Sequence, residues 1–366
     1  MEVSGPSVIR RPLVVVVAPV PPPLHGAAAT TQGILEFLDL HSDLRVINVS
    51  PGSATGFLRH FVRIGRTARA MIMLLCCAGS SGRVLYMTAD GGAGMIYNIL
   101  VAATGTVLGY RVFLHHHSFA YIDRITPWMR MLSRILAKRG THVVLCMAMV
   151  DGLRTYYPIG KTLELSSAAL LPPSALRKAR AAGPLKMGFL SNLIIEKGVD
   201  TSIDLLRASL REGLAVTLVI AGRAPDQRPL DLIEQAQREL GPALSYVGPL
   251  SDAEKDKFLE EIDVFLFPSR YFNEAQPRAV LEALAFGVPV MTIGRSCITT
   301  DLGTGSGLCA QSSETFVTEA LPYLRQWSTN PSKLASVSVS ASSRAEALHE
   351  SGLQHLMMLV DAFRVT

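Results

Sequence analysis

Apolar, β-rich runs of four to six residues alternate with longer stretches of helical period along almost the whole chain. In the first half the pattern predicts strands at Val14–Val17, Arg45–Val49, Val84–Met87, Val112–His115 and His142–Cys146. In the second half it predicts them at Lys186–Leu190, Val216–Ala221, Leu244–Val247, Val264–Phe267 and Val288–Thr292. Runs with so little polar alternation are buried on both faces, and helical crossovers between them mean doubly wound parallel sheets. Between the two sets, Leu171–Pro184 (LPPSALRKARAAGP) is rich in Pro, Ala and basic residues and follows neither pattern. It reads as a linker, giving an α/β domain over 1–182, a second over 183–346 and a last helical stretch over 347–366.

Composition agrees with two cores. The chain has 366 residues, 49% hydrophobic and 18% charged, which excludes disorder for its bulk. Mean hydropathy is high at +0.30, yet no apolar run approaches the roughly 20 residues of a spanning helix; Ala70–Gly79 is too short. Arg10-Arg11 before LVVVVAPV mimics an export signal, but the run meets Pro21-Pro22-Pro23 without a small-residue cleavage site, so a first buried strand is expected. The five cysteines form no CxxC and no regular framework, the pattern of a reduced, cytoplasmic protein.

Charge is divided unevenly. Residues 1–182 hold 19 Lys/Arg against 8 Asp/Glu, and residues 183–366 hold 16 against 22. The first domain should therefore meet something anionic. Within it, Phe57–Leu75 is helical in pattern with Arg59, Arg63, Arg66 and Arg69 along one face, and Trp128–Arg139 sets Arg130, Arg134 and Lys138 four apart. Basic amphipathic helices suit an anionic membrane surface, and peripheral attachment at the inner face of the membrane is the expectation. The plainer reading is core-packed helices with solvated arginines. Nucleic acid is not expected, because aromatic residues are not interleaved with the basic ones and no binding module appears.

Tandem α/β units also fit an oxidoreductase or a binding protein, so fold alone does not choose. The choice comes from DVFLFPSRYFNEAQPRAVLEALAFGVPV, residues 263–290. A buried strand ends at Pro268-Ser269, a short loop presents Glu274, and a helix beginning near Pro277 carries Glu282. One carboxylate stands ahead of a helix N-terminus and the other a turn and a half inside it. The carboxyl edge of parallel strands is where such folds bind ligands, and a helix N-terminus suits a diphosphate. Spacing alone would equally describe two surface glutamates; the strand, the Pro-Ser turn and the Gly-Val-Pro-Val exit make it specific.

These residues closely resemble the signature of family-4 retaining glycosyltransferases (glycosyl transferases group 1), a Glu, seven residues and a second Glu. The resemblance is strong over about 185–308 and looser over 12–150. It implies the GT-B fold, two facing Rossmann-like domains with a cleft between them, and a last helix crossing back to the first domain. It implies that Glu274 orients the donor sugar and stabilises positive charge at its anomeric carbon, and that Glu282 accepts hydrogen bonds from the ribose, with Ala275 and Gln276 beside them in the donor loop. Upstream, GFLSNLIIEKGVD supplies Lys197-Gly198 for the diphosphate, but Asn192 stands where the family has Arg. Arg223, Arg270 and Arg278 are the candidates to replace it. Gly26, after PPPLH, and Ala27 fit the loop beside the donor phosphates, and His117 in FLHHHSF fits a sugar-binding His; structural histidines or a metal site are the alternatives there. The implied reaction moves a sugar with retention from a nucleoside-diphosphate sugar to a hydroxyl of a lipid-linked glycan, in cell-surface polysaccharide or glycolipid biosynthesis.

No metal or cofactor is expected. The chain has no Asp-x-Asp pair and no HExxH, so Lys, Arg and helix N-termini would neutralise the diphosphate. Asp90–Gly94 (DGGAG) departs from a dinucleotide fingerprint, with Tyr97 in the third glycine position. Two alternatives stay open: a nucleotide-sugar epimerase of the same fold, and a non-catalytic glycan-assembly partner.

Overall fold

A computed structural model of the protein describes residues 11–22, 26–50, 52, 56–80, 82–137, 139–172 and 183–364, apart from the side chains of Ala27, Phe57 and Arg59. The linker reading falls largely on 173–182 and so lies outside the described residues, as does Lys138. The chain divides into two compact units, Met1–Ser166 with Gly352–Thr366, and Ser167–Ser351.

The first unit is built on six parallel strands, β1 (Leu13–Ala18), β2 (Asp43–Asn48), β3 (Val84–Thr88), β4 (Arg111–His115), β5 (Gly140–Val144) and β6 (Lys161–Glu164). Their order is β2-β1-β3-β4-β5-β6. Helices α1 (Gly26–Asp39), α2 (Gly56–Cys76), α3 (Met95–Val107), α4 (Ala120–Asp123), α5 (Pro127–Leu136) and α6 (Met147–Tyr156) fill the crossovers. The LVVVVA run of β1 is buried beyond its first residue, as a central strand covered on both faces must be. α5 starts where the sequence dictates: Pro127 sets the first turn, and Thr126 Oγ1 accepts the Met129 N–H at 3.2 Å.

The second unit has its own six-stranded parallel sheet, β7 (Leu185–Leu190), β8 (Val216–Ala221), β9 (Leu244–Tyr246), β10 (Val264–Phe267), β11 (Val290–Ile293) and β12 (Gly307–Ala310). The order β12-β11-β10-β7-β8-β9 is the Rossmann arrangement, which reverses direction between β7 and β10. Helices α7 (Val199–Arg211), α8 (Arg228–Leu240), α9 (Asp252–Glu261), α10 (Arg278–Ala285), α11 (Ile298–Leu302) and α12 (Phe316–Thr329) complete it. The unit begins earlier than residue 183, because the turn Ser167–Leu170 packs here. Ala168 and Leu171 are buried with Phe258, Leu259 and Leu281, and the Ser167 N–H donates to Gln276 Oε1 at 2.7 Å.

The hydrophobic pattern misses β6 and β12, both at sheet edges. β6 (KTLE) is polar and only half-buried, so it carries no apolar run. β12 starts at Gly307, where a Cβ would lie 1.9 Å from Val290 O; only glycine allows that approach.

The last helix, α13, spans Pro331–Arg364. Its final turns belong to the first unit. Phe363 is fully buried, with its ring edge-on to Phe113 and Tyr86. The Arg111 guanidinium donates to Ala362 O at 2.7 Å and also to Phe363 O, a cation placed on otherwise unpaired C-terminal carbonyls. Cys76, Cys77 and Cys309 carry free thiols. Among the described residues no helix is long and apolar enough to cross a membrane.

The expected arginine stripe on α2 is not a free surface. Arg63 is half-buried, ion-paired to Asp90 and stacked on the Tyr97 ring at 4.6 Å. Arg66 is also half-buried, whereas Arg69 is exposed.

Candidate functional site

The residues singled out in the second unit gather at the carboxyl ends of β7, β8 and β10, where the sheet reverses direction. After β7 the chain makes a 3-10 turn, Ile195–Lys197, and passes through Gly198 at φ +91° into α7. A Cβ at Gly198 would sit 2.3 Å from Pro268 O. Glycine is therefore needed for conformation and for space, and its absence of a side chain brings Lys197 against the end of β10.

Glu274 reaches the same place from β10. Its Oε2 takes a bond from Lys197 Nζ at 2.6 Å and one from Ser269 Oγ at 2.9 Å, and the residue is only 6% exposed. Lys197 Nζ also lies 4.8 Å from the centre of the Tyr271 ring, a cation–π contact. The backbone is fixed as well. Ser296 Oγ donates to Glu274 O at 2.8 Å and Cys297 N–H to Ala275 O at 3.1 Å. Ser296 adopts φ +54° to do so, a left-handed conformation that is strained for a serine and is held by its surroundings. Among the described residues Glu274 Oε1 has no hydrogen-bond partner.

Glu282 follows the same plan. It is buried within α10, where Arg278 Nε at 2.8 Å and Lys255 Nζ at 3.1 Å both hold Oε1. Its Oε2 is left without a partner among the described residues. Each glutamate thus has one oxygen anchored by a cation and one available. The anchors orient each carboxylate.

Asn192 is exposed, and its carbonyl accepts the Ile194 N–H at 2.9 Å. Next to it, Leu193 N–H donates to Arg223 O at 2.8 Å, which sets Arg223 beside Asn192. Gly222 permits this, since a Cβ there would meet Ser191 O at 1.7 Å. The three arginines now separate. Arg270 is committed to Asp200 through two bonds, at 2.6 and 3.0 Å, and Arg278 to Glu282. Arg223 is exposed, and no described residue pairs with its guanidinium.

Gln276 does not point an open amide into the site. Its Oε1 takes the Ser167 N–H and its Nε2 donates to Asp301 Oδ1 at 3.0 Å, so it ties this loop to neighbouring segments. Ala275 is buried beside Glu274. Gly26 and His117 belong to the first unit. Gly26 opens α1, is exposed, and has nothing within 4 Å of where a Cβ would stand. His117 is half-buried just past β4, its ring 4.0 Å from that of His115.

The two histidines before it are structural. His115 Nδ1 is 2.6 Å from the Tyr86 hydroxyl. His116 joins the Tyr121 hydroxyl and His142 Nδ1, each at 2.9 Å. Burial pushes the pKa of His115 and His116 well below the usual imidazole value and that of His142 down to about 4. Among the described residues no three His, Cys, Asp or Glu side chains converge to hold a metal ion.

The sequence reading names Ser269 only as the end of a strand and leaves out Ser296 and Lys255. Ser269 lies in the Pro-Ser turn that ends β10 and could have been picked out there. Lys255 reads as a solvated helix lysine and Ser296 as a loop serine, so neither carries a signal in sequence.

This fold, two units each built on a six-stranded parallel sheet, is of the GT-B class. Residues 176–311 match the family described as Glycosyl transferases group 1. The chain is similar to the putative colanic acid biosynthesis glycosyltransferase WcaL of Salmonella typhimurium, 34% identical over 128 residues, covering 33% of this chain and 31% of that protein. It is also similar to the GDP-mannose-dependent alpha-(1-6)-phosphatidylinositol dimannoside mannosyltransferase of Mycobacterium tuberculosis, 32% identical over 130 residues, covering 35% and 32%. These alignments span about a third of each relative. The fold matches along nearly its full length. Sucrose-phosphate synthase from Thermosynechococcus elongatus superposes with a TM-score of 0.70 at 15% identity, over 96% of this chain and 99% of the other. Anabaena HepE, solved in complex with UDP, gives 0.71 at 13% identity, over 96% and 100%.

Proposed function

We propose that the protein is a retaining, metal-independent glycosyltransferase moving a sugar from a nucleoside-diphosphate sugar to a hydroxyl of a lipid-linked glycan, in cell-surface polysaccharide or glycolipid biosynthesis. The observation that carries this reading is the Lys197–Glu274 pair at the switch point of the second sheet, with Glu282 anchored on the helix that follows.

In this reading Lys197 serves two partners, holding Glu274 in place and meeting the diphosphate. Arg223 takes the place of the missing family arginine beside Asn192. Glu274 Oε1 faces the donor sugar, where a fixed negative charge stabilises the oxocarbenium-like transition state. Glu282 Oε2 accepts from the ribose. The acceptor hydroxyl attacks from the side of the departing diphosphate, whose oxygen takes its proton, so no side-chain nucleophile is needed. Gly26 leaves room near the phosphates and His117 contacts the sugar. Gln276 acts by fixing the donor loop. The lipid-linked acceptor draws support from the phosphatidylinositol dimannoside in the name of one relative, and from the basic excess of the first half. A cytoplasmic protein peripheral to the inner membrane face follows from it.

The test is thermal stabilisation by UDP, GDP, ADP, dTDP and CMP, each with magnesium and with a chelator. One nucleoside diphosphate should stabilise the protein equally in both. No shift with any of them overturns the donor site, and binding without sugar transfer favours the non-catalytic partner.

A further inference from the structure

Two of the free thiols are neighbours in sequence. Cys76 closes α2 and Cys77 follows it. The helical turn runs on through both, since the Cys77 N–H donates to Met73 O at 3.0 Å. Residues three and four apart share a helix face, so Met73 stands one turn before both cysteines and the three sulfurs fall on one patch. One side of it is already closed, with Cys77 Sγ 3.8 Å from Met73 Sδ. The patch is open to solvent: Cys76 is exposed, and Cys77 and Met73 are half-buried. Ile72 and Leu75 in the same turn are each more than half exposed.

Two thiolates and a thioether are a soft donor set, of the kind that selects copper(I). With metal–sulfur bonds of about 2.3 Å, the sulfurs around a flat three-coordinate ion stand about 4 Å apart. The Cys77–Met73 separation has that value without any rearrangement. Harder ions lack what they need here. α2 contains no Asp or Glu, nor does the segment Ala78–Gly82. Among the described residues no third His, Cys, Asp or Glu joins the two cysteines. A structural zinc ion would be short of its fourth protein ligand.

Charge is also matched. Loading takes one proton from each thiol, so two thiolates and a monovalent ion leave one net negative charge. Arg83 supplies the opposite one. Its guanidinium lies 5.7 Å from the centre of the Tyr110 ring, and the Tyr110 hydroxyl donates to Leu74 O at 2.8 Å, in the turn that carries the cysteines. Burial pushes the Tyr110 pKa up to about 12, Cys77 and Cys76 push it the same way, and Arg83 opposes them. The guanidinium and both thiols therefore surround one hydroxyl.

We infer that Met73, Cys76 and Cys77 form a binding site for a soft monovalent metal ion, copper(I), at the end of α2. The ion takes both thiolates and the thioether, two protons leave to solvent, and Arg83 balances the charge. The site belongs to the first unit, supplies no step of sugar transfer and does not rest on the glycosyltransferase reading.

The reduced full chain is titrated with copper(I) in the absence of oxygen, against a chelator that is coloured only when it holds the ion. One ion per chain should be withdrawn from the chelator, and the loaded protein should melt at a higher temperature than the unloaded one. Cys76→Ser and Cys77→Ser should each weaken binding about 100-fold or more, and Met73→Leu and Arg83→Ala about tenfold each. Cys309→Ser should leave it unchanged. X-ray absorption should count three sulfur neighbours around the copper and only two in Met73→Leu, a difference that a merely structural methionine would not produce. Melting curves of the unloaded variants check that they fold. No withdrawal of the ion, undiminished affinity in either cysteine variant, two sulfur neighbours in the unaltered chain, or displacement of copper by equimolar zinc overturns the inference. So does half an ion per chain in a dimer, since two copies would then share it.

Discussion

Lys197 Nζ lies 2.6 Å from Glu274 Oε2, although 77 positions separate the two residues in the chain. The pair is shielded, with side-chain exposures of 15% and 7%, and Ser269 completes it. A lysine that already serves a buried carboxylate is preorganised for a second anion. In the proposed reading, a diphosphate bound there would cost little side-chain ordering.

Replacing Glu274 by Gln keeps its size and removes the charge. Turnover should fall by about 10² to 10³, with nucleotide affinity changed far less. Single-turnover sugar transfer and calorimetric titration of the nucleoside diphosphate separate the two. Equal loss in both would make Glu274 a binding residue only.

For Glu282 the opposite balance is expected. Glu282→Ala should weaken nucleotide binding by roughly 10- to 100-fold, because it removes an ionised acceptor and leaves Arg278 and Lys255 without their shared partner. Lys255→Met should give a smaller loss of the same kind, since Arg278 still holds Oε1. A nucleoside diphosphate titrated into each variant provides the comparison.

The arginines give a contrast within one experiment. Arg223→Ala should weaken diphosphate binding and flatten its salt dependence, with the melting temperature nearly unchanged, because the side chain is exposed and pairs with no described residue. Arg270→Ala should instead lower the melting temperature by breaking the bidentate pair with Asp200. Nucleotide affinity lost only in the Arg270 variant would reverse the assignment.

Gly198→Ala is expected to destabilise the second unit by about 2–4 kcal/mol or prevent its folding, through φ strain and collision with Pro268 O. Chemical denaturation followed by the fluorescence of Trp327, which is buried in that unit, reads the effect.

Acid should loosen the first unit through its buried imidazoles. The folded pKa values of His115, His116 and His142 lie below the usual 6.5. Between that value and about pH 4, the unfolded chain binds protons that the folded chain does not. Their contribution to stability is therefore complete above pH 6.5 and is lost as pH falls toward 4. Melting temperatures of the protein and of a His142→Gln variant across this range check the point: the variant should show a shallower decline.

The sequence by itself determined the secondary-structure alternation and the two sheets, because strands buried on both faces must be apolar throughout, and Val14–Val17 or Val264–Phe267 have no other stable place. It also singled out Glu274, Glu282 and Lys197-Gly198 as candidates, since their spacing around a strand end, a Pro-Ser turn and a helix start is local. It left out the edge strands β6, which is polar and half-buried, and β12, whose apolar run is only three residues long behind a glycine. Only tertiary structure decided which arginine is open, because Asp200 claims Arg270 across 70 positions, while Glu282 takes Arg278 one turn along α10. Packing alone placed Lys255 on Glu282 and Ser296 behind Glu274. It also turned the apolar side of α2 outward: periodicity shows that a helix has two faces, and the neighbours it packs against decide which one meets the solvent.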